Sequence, residues 1–85
     1  MREGFKQIND SVVEKAHEAL ARTIAKNVKA LRDKRNMTNE QVAEEAGLTV
    51  RFFYKVISEK HTPNLTTLIR LARVFDVSVS KLLEE

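Results

Sequence analysis

Two glycines and one proline are all that can break the rhythm of this 85-residue chain. Both residue types interrupt regular structure, so their scarcity favours an all-helical domain. Residues 11–35 contain neither. Within that stretch Val13, Leu20, Ile24, Val28 and Leu31 recur at helical spacing, with Ala16, Ala19, Ala21, Ala25 and Ala30 filling between them. Ser11-Val12-Val13-Glu14 fits a capping box, in which the serine oxygen takes an orphan N–H and the glutamate reaches back. The pattern reads as one long helix or two abutting ones, ended by Asn36-Met37, with residues 1–10 frayed or loosely docked.

The next capping box is Thr38-Asn39-Glu40-Gln41, which opens a second helix. Val42 and Ala46 lie one turn apart and should face inward, while Ala43 is small enough to admit a neighbouring helix. Gly47 supplies the left-handed residue that ends this helix at little cost. Thr49 is placed to cap a third helix over about 50–57. A loop with Pro63 follows. Asn64 caps a fourth helix, whose Leu65, Leu68, Ile69, Leu71, Ala72 and Phe75 make a broad apolar face. Asp76 can adopt the left-handed conformation at its end. Ser78 caps a last short helix bearing Val79, Leu82 and Leu83. The expected class is all-α with five helices: residues 1–20 as an N-terminal extension, helical from about 11, and 21–85 as the domain proper.

Size and composition bound the rest. A chain this short makes one domain with a modest core, marginally stable unless it associates. Its 42% hydrophobic content suffices for a globular fold. The absence of cysteine removes disulfides and thiolate metal sites. No apolar run approaches the length of a membrane span, and Met1-Arg2-Glu3-Gly4-Phe5-Lys6 lacks the apolar stretch of a signal peptide. The expected location is therefore intracellular and cytoplasmic. The two histidines, His17 and His61, stand far apart in sequence, and no Ser/His/Asp or paired-carboxylate arrangement can be argued. No enzyme activity, cofactor, metal or small-molecule ligand is expected.

The net charge of +3 matters less than its distribution. Residues 21–36 carry Arg22, Lys26, Lys29, Arg32, Lys34 and Arg35 against Asp33 alone. Glu40, Glu44 and Glu45 make the following segment acidic. Residues 47–64 are mildly basic again through Arg51, Lys55 and Lys60 against Glu59. A basic stripe on a mixed surface suits phosphate binding, although a solvated helix face has the same composition.

From about Ile24 to Leu83 the chain resembles the Cro/phage-repressor type of helix-turn-helix, often called the Xre family. The resemblance rests on Val28-x-x-Leu31-Arg32, Met37-Thr38 and Val42-Ala43-x-x-x-Gly47-Leu48-Thr49. It continues through Pro63-Asn64-Leu65, Leu68-x-x-Leu71-Ala72 and Val77-Ser78-x-x-x-Leu82-Leu83. It implies a five-helix phage-repressor-like DNA-binding domain, here with an extended N-terminal helix, whose third helix enters the major groove of double-stranded DNA. One face of that helix carries Val50, Arg51, Tyr54 and Lys55, while Phe53, Val56 and Ile57 should pack inward. Arg51 can fork onto guanine and Val50 can touch a thymine methyl; Tyr54 and Lys55 can reach a base or a phosphate. Phosphate contacts are expected from Thr38, Asn39, Thr49, Lys60, His61 and Asn64. In this family the position of Asn39 is usually glutamine, one methylene longer.

The chain also departs from the family pattern. Many relatives carry a glutamate where Ile57 stands, paired with the arginine at Arg32. Without it, Arg32 is expected to turn to solvent or phosphate, or else to pair with another acid such as Glu40 or Glu59. The glycine common after the third helix is Glu59 here, so the loop is expected to take another path. Phe52 replaces a small or polar residue and is expected to pack on the second helix or its loop, the other reading being an exposed partner contact. In the N-terminal extension, Val12, Val13, Ala16, Leu20 and Ile24 form a stripe for the subunit's own last helix or for a second subunit.

The function implied is sequence-specific regulation of transcription, as a repressor binding a near-palindromic operator as a homodimer. The alternative is an antitoxin or adaptor that uses the same fold mainly to hold a partner protein through Phe52, the N-terminal stripe and Leu82-Leu83.

Overall fold

The computed structural model describes residues 10–85, and the expectation for residues 1–9 lies outside them. Five helices follow one another: α1 (Asp10–Lys34), α2 (Asn39–Ala46), α3 (Val50–Val56), α4 (Leu65–Phe75) and α5 (Val79–Leu82). No strand occurs among the described residues. The unbroken run of residues 11–35 makes one helix, not two. Asp10 is already helical, so Ser11 sits inside α1 and not at its cap. An acid in that first turn suits the positive end of the helix dipole.

The other four helices start as their sequences dictate. Thr38, Thr49, Asn64 and Ser78 are extended, and each side chain accepts from the backbone N–H three residues on. At Thr38 the box is complete, because the Gln41 side chain returns to the Thr38 N–H at 2.8 Å. Gly47 (φ 73°) and Asp76 (φ 55°) end α2 and α4 in the left-handed conformation.

Helix C-termini leave carbonyls without helical partners, and here distant side chains close three helix ends. Arg70 donates to the Ala46 carbonyl at 3.3 Å, and Arg35 to the Phe75 carbonyl at 2.6 Å. The Asn27 amide donates to the carbonyls of Leu82 and Glu84 at 2.7 and 2.8 Å.

The core lies between the C-terminal half of α1 and the remaining helices. Ile24, Val28, Val42, Phe53, Val56, Leu71, Phe75 and Leu82 are fully buried in it. Ala43, as its size predicted, allows the close approach of α2 to its neighbours, and Ala46 faces inward beside it. The apolar face of α4 is narrower than its sequence suggests: Leu65 and Ile69 are exposed. Ile69 stands about 100° round the helix from Leu68, beyond the arc that the core covers.

The larger departure is in α1. Twenty-five residues make a rod of about 37 Å, in a molecule 45 Å long and 23 × 22 Å across. Burial begins at Ala21. Residues 10–18 are all exposed, Val12 by 62% and Val13 by 50%, and Leu20 is exposed as well. The stripe that continues smoothly in sequence therefore splits in space, and its first half does not pack on α5.

Candidate nucleic-acid interface

Gly47 sets the geometry of the α2–α3 corner. Its left-handed turn lets the Leu48 N–H bond back to the Ala43 carbonyl at 2.8 Å, closing α2 before Thr49 starts α3. Arg70 covers the turn: a Cβ at Gly47 would fall 2.6 Å from the Arg70 Nη1. Leu48 packs against the core and holds the corner down. The first turns of α2 and α3 are thus each ordered by a threonine.

On α3 the two faces separate as expected. Phe53 and Val56 are buried, while Arg51 and Lys55 are exposed and Tyr54 is 47% exposed. Val50 turns partly inward and packs against the core, leaving only part of its surface free. Ile57 also packs against the core, as the C-cap of α3. The helix carries no acid of its own.

The expected phosphate ligands divide by what their side chains already do. Thr38 Oγ1 accepts from Gln41 N and Thr49 Oγ1 accepts from Phe52 N, both at 3.0 Å. Each hydroxyl keeps its proton to donate. Asn64 Oδ1 accepts from Thr67 N at 2.8 Å, which leaves the amide NH2 to donate. Asn39 Oδ1 accepts from Arg32 Nη1 at 2.7 Å. That bond assigns the oxygen inward and frees the amide hydrogens, so the shorter side chain is oriented even though its reach is less.

Arg32 takes the second course expected of it, pairing with another acid, though not one of the two named. Its side chain is 18% exposed, with Nη2 2.9 Å from Asp33 Oδ1 and Nε donating to the same oxygen at 3.0 Å. The acid that balances it is the next residue in sequence, not Glu40 or Glu59. The basic stripe of α1 is accordingly partly consumed, since Arg35 closes α4 and Lys29 pairs with Glu59 at 3.2 Å.

The loop after α3 also differs from expectation. Glu59 does adopt the left-handed conformation, at φ 71°, so the loop keeps the shape that glycine would give it. The Lys29 ammonium beside its carboxylate offsets part of the strain. Phe52 is half-buried against the core and meets His61 edge-on, ring centroids 5.4 Å apart at 76°. His61 is therefore packed, not simply solvated. Thr62 Oγ1 lies 3.3 Å from both Nδ1 and the carbonyl oxygen of His17. That tie between α1 and the loop has no signal in the sequence. Lys60 is exposed and shares open hollows with Glu14, Glu18 and Glu59.

Two short helices, a glycine corner between them and three supporting helices around one core define the architecture. The sequence profile of the helix-turn-helix family matches residues 28–82. The chain belongs to that family, in its Cro/phage-repressor branch. This places it among DNA-binding regulators of transcription. It is 38% identical over 60 residues to the control protein C.SmaI of Serratia marcescens, covering 71% of each protein. It is 30% identical over 63 residues to the immunity repressor protein of Bacillus phage phi105. That match covers 74% of this chain and 44% of the repressor, so the chain spans less than half of the phage protein.

The match begins at Val28, inside α1. The projecting half of α1 lies outside it. Among the described residues no helix is long and apolar enough to cross a membrane, and no group of acids and histidines is arranged to hold a metal.

Proposed function

We propose that this chain is a sequence-specific transcriptional repressor that binds a near-palindromic operator as a homodimer, with α3 in the major groove. The observation that carries the reading is the exposed, acid-free face of α3 bearing Arg51, Tyr54 and Lys55 beside two threonine-capped helix starts. Arg51 reads guanine through O6 and N7, and the free part of Val50 meets a thymine methyl. Tyr54 and Lys55 serve the flanking bases or their phosphates. The hydroxyls of Thr38 and Thr49, the amides of Asn39 and Asn64, and the cationic or N–H groups of Lys60 and His61 hold the backbone on either side. Residues 21–85 form the DNA-binding domain and residues 1–20 extend it. The names of the two relatives, an immunity repressor and a control protein, agree with a regulatory role.

The partner-holding alternative has two of its three surfaces reduced, since Phe52 and Leu83 are half-buried against the core and Leu82 is fully buried. What it retains is the exposed Val12, Val13 and Leu20 of α1.

Selection from a random duplex pool at about 150 mM salt tests the proposal, because weak non-specific binding is largely screened there. The expected product is an inverted repeat with centres about ten base pairs apart, one turn of duplex. Retention of DNA without any enriched sequence would sink it.

A further inference from the structure

Three contacts converge on the α3–α4 loop from outside it. Lys29 of α1 pairs with Glu59 at 3.2 Å. Phe52 of α3 meets the edge of His61. His17 of α1 meets Thr62 at 3.3 Å, twice. With the Nδ1–H tautomer of His17, the Thr62 hydroxyl accepts from the ring and donates to the carbonyl, so both contacts hold at once. Of residues 59–62, only Lys60 has a side chain with no partner among the described residues. The loop is pinned on both sides of one exposed cation.

We propose that the N-terminal half of α1 is a brace for this loop, and that His17 and Thr62 are positioning residues for phosphate contact at Lys60. The proposal rests on the DNA-binding reading above. The helix supplies what a loop lacks. Its backbone is held by its own hydrogen bonds, so a tie to it limits the positions the loop samples before DNA arrives. The exposure of residues 10–16 does not weaken that role, because His17 lies within one turn of the first buried residue, Ala21. Lys60 needs the help, since Glu14 and Glu18 border the same hollow and a loosely held ammonium can swing toward them.

The test uses the full chain and a mixed-sequence duplex of about thirty base pairs, titrated between about 50 and 200 mM salt so that phosphate contacts alone are read. Wild type, Thr62→Val, Lys60→Ala and the double variant are compared. Thr62→Val keeps the shape and removes the hydroxyl. It should weaken binding about 3–10-fold and flatten the salt slope, with little change in Tm because both contacts are long and exposed. In the Lys60→Ala background the same change should cost nothing further, which a merely structural role would not produce. His17→Ala keeps the backbone acceptor and should lose less than Thr62→Val. Equal losses from Thr62→Val in both backgrounds, wild-type affinity in Thr62→Val, or a loss that follows a fall in Tm would each overturn the brace. Wild-type protein that binds no duplex overturns the DNA-binding reading, and the phosphate role with it. Amide exchange across residues 59–62 then judges the brace alone: faster in Thr62→Val if the tie holds the loop, unchanged if it does not.

Discussion

Four of the described residues hold positive φ, namely Asn36, Gly47, Glu59 and Asp76, and only one is glycine. Asn and Asp tolerate this conformation because their short polar side chains bond locally. Glu59 has no such help, and its strain of about 1–2 kcal/mol exceeds what an exposed ion pair such as Lys29–Glu59 usually returns, about 0.2–1 kcal/mol. Its φ of 71° is thus imposed by the packing of the loop around it. In the proposed mode of binding, base reading rests most on Arg51. Among the described residues no side chain or backbone group ties it down, and its guanidinium matches the two acceptors of guanine. We expect Arg51→Ala to relax preference at one position of each half-site by about 1–3 kcal/mol while leaving stability unchanged. Binding measured against a panel of single-base operator variants checks this. A mutant with the parental preference would show that α3 does not read bases through this side chain.

The helices differ in how their two ends are secured. Every start from α2 onward is held by a side chain three residues away from the N–H it receives. The carbonyl ends of α2, α4 and α5 are held by Arg70, Arg35 and Asn27, which are 24, 40 and 55 residues distant from the acceptors at Ala46, Phe75 and Leu82. The four-residue α5 is too short to persist alone. It depends on burial of Leu82 and on the carbonyl bonds from Asn27, the two short ones to Leu82 and Glu84 above all. Asn27→Ala should therefore lower unfolding free energy by about 1–2 kcal/mol, with the loss concentrated in α5. Urea denaturation gives the total, and hydrogen exchange at residues 79–83 locates it. Exchange unchanged there would mean that packing alone secures the helix.

The elements are arranged so that cations serve two purposes. Lys29, Arg32 and Arg35 are spent on internal contacts, whereas Arg51, Lys55 and Lys60 remain available on or near α3. A net charge of +3 is consequently a poor guide to DNA affinity. What matters is the number of cations that meet phosphate, because each releases a counterion. A dimer that contacts six to ten phosphates should lose about 10³–10⁵ in affinity between 50 and 200 mM salt. A filter-binding series over that range measures the slope. A protein whose partner lay on the apolar stripe of α1 would hardly respond, since apolar contacts release no condensed ions.

Much of the α2–α3 unit was legible without coordinates. Caps, the Gly47 corner and the inward placing of Phe53 and Val56 depend on residues within one or two turns of each other, and local backbone chemistry decides them. The same holds for the five helices and their order. The sequence could not show that α1 outruns its core. Val13 and Leu20 continue the spacing of Ile24 and Val28, and periodicity does not record where the neighbouring helices stop. Nor could it assign partners to charges. Arg32 met Asn39, Glu59 met Lys29 and Thr62 met His17, because each choice depends on which side chains the packed elements bring within about 3 Å. Helix identity, caps and the exposed face of α3 were determined by the sequence itself, since their causes are short-range. The length of helix left uncovered, the closure of the carbonyl ends and the fastening of the α3–α4 loop were decided only when distant segments met in the tertiary structure.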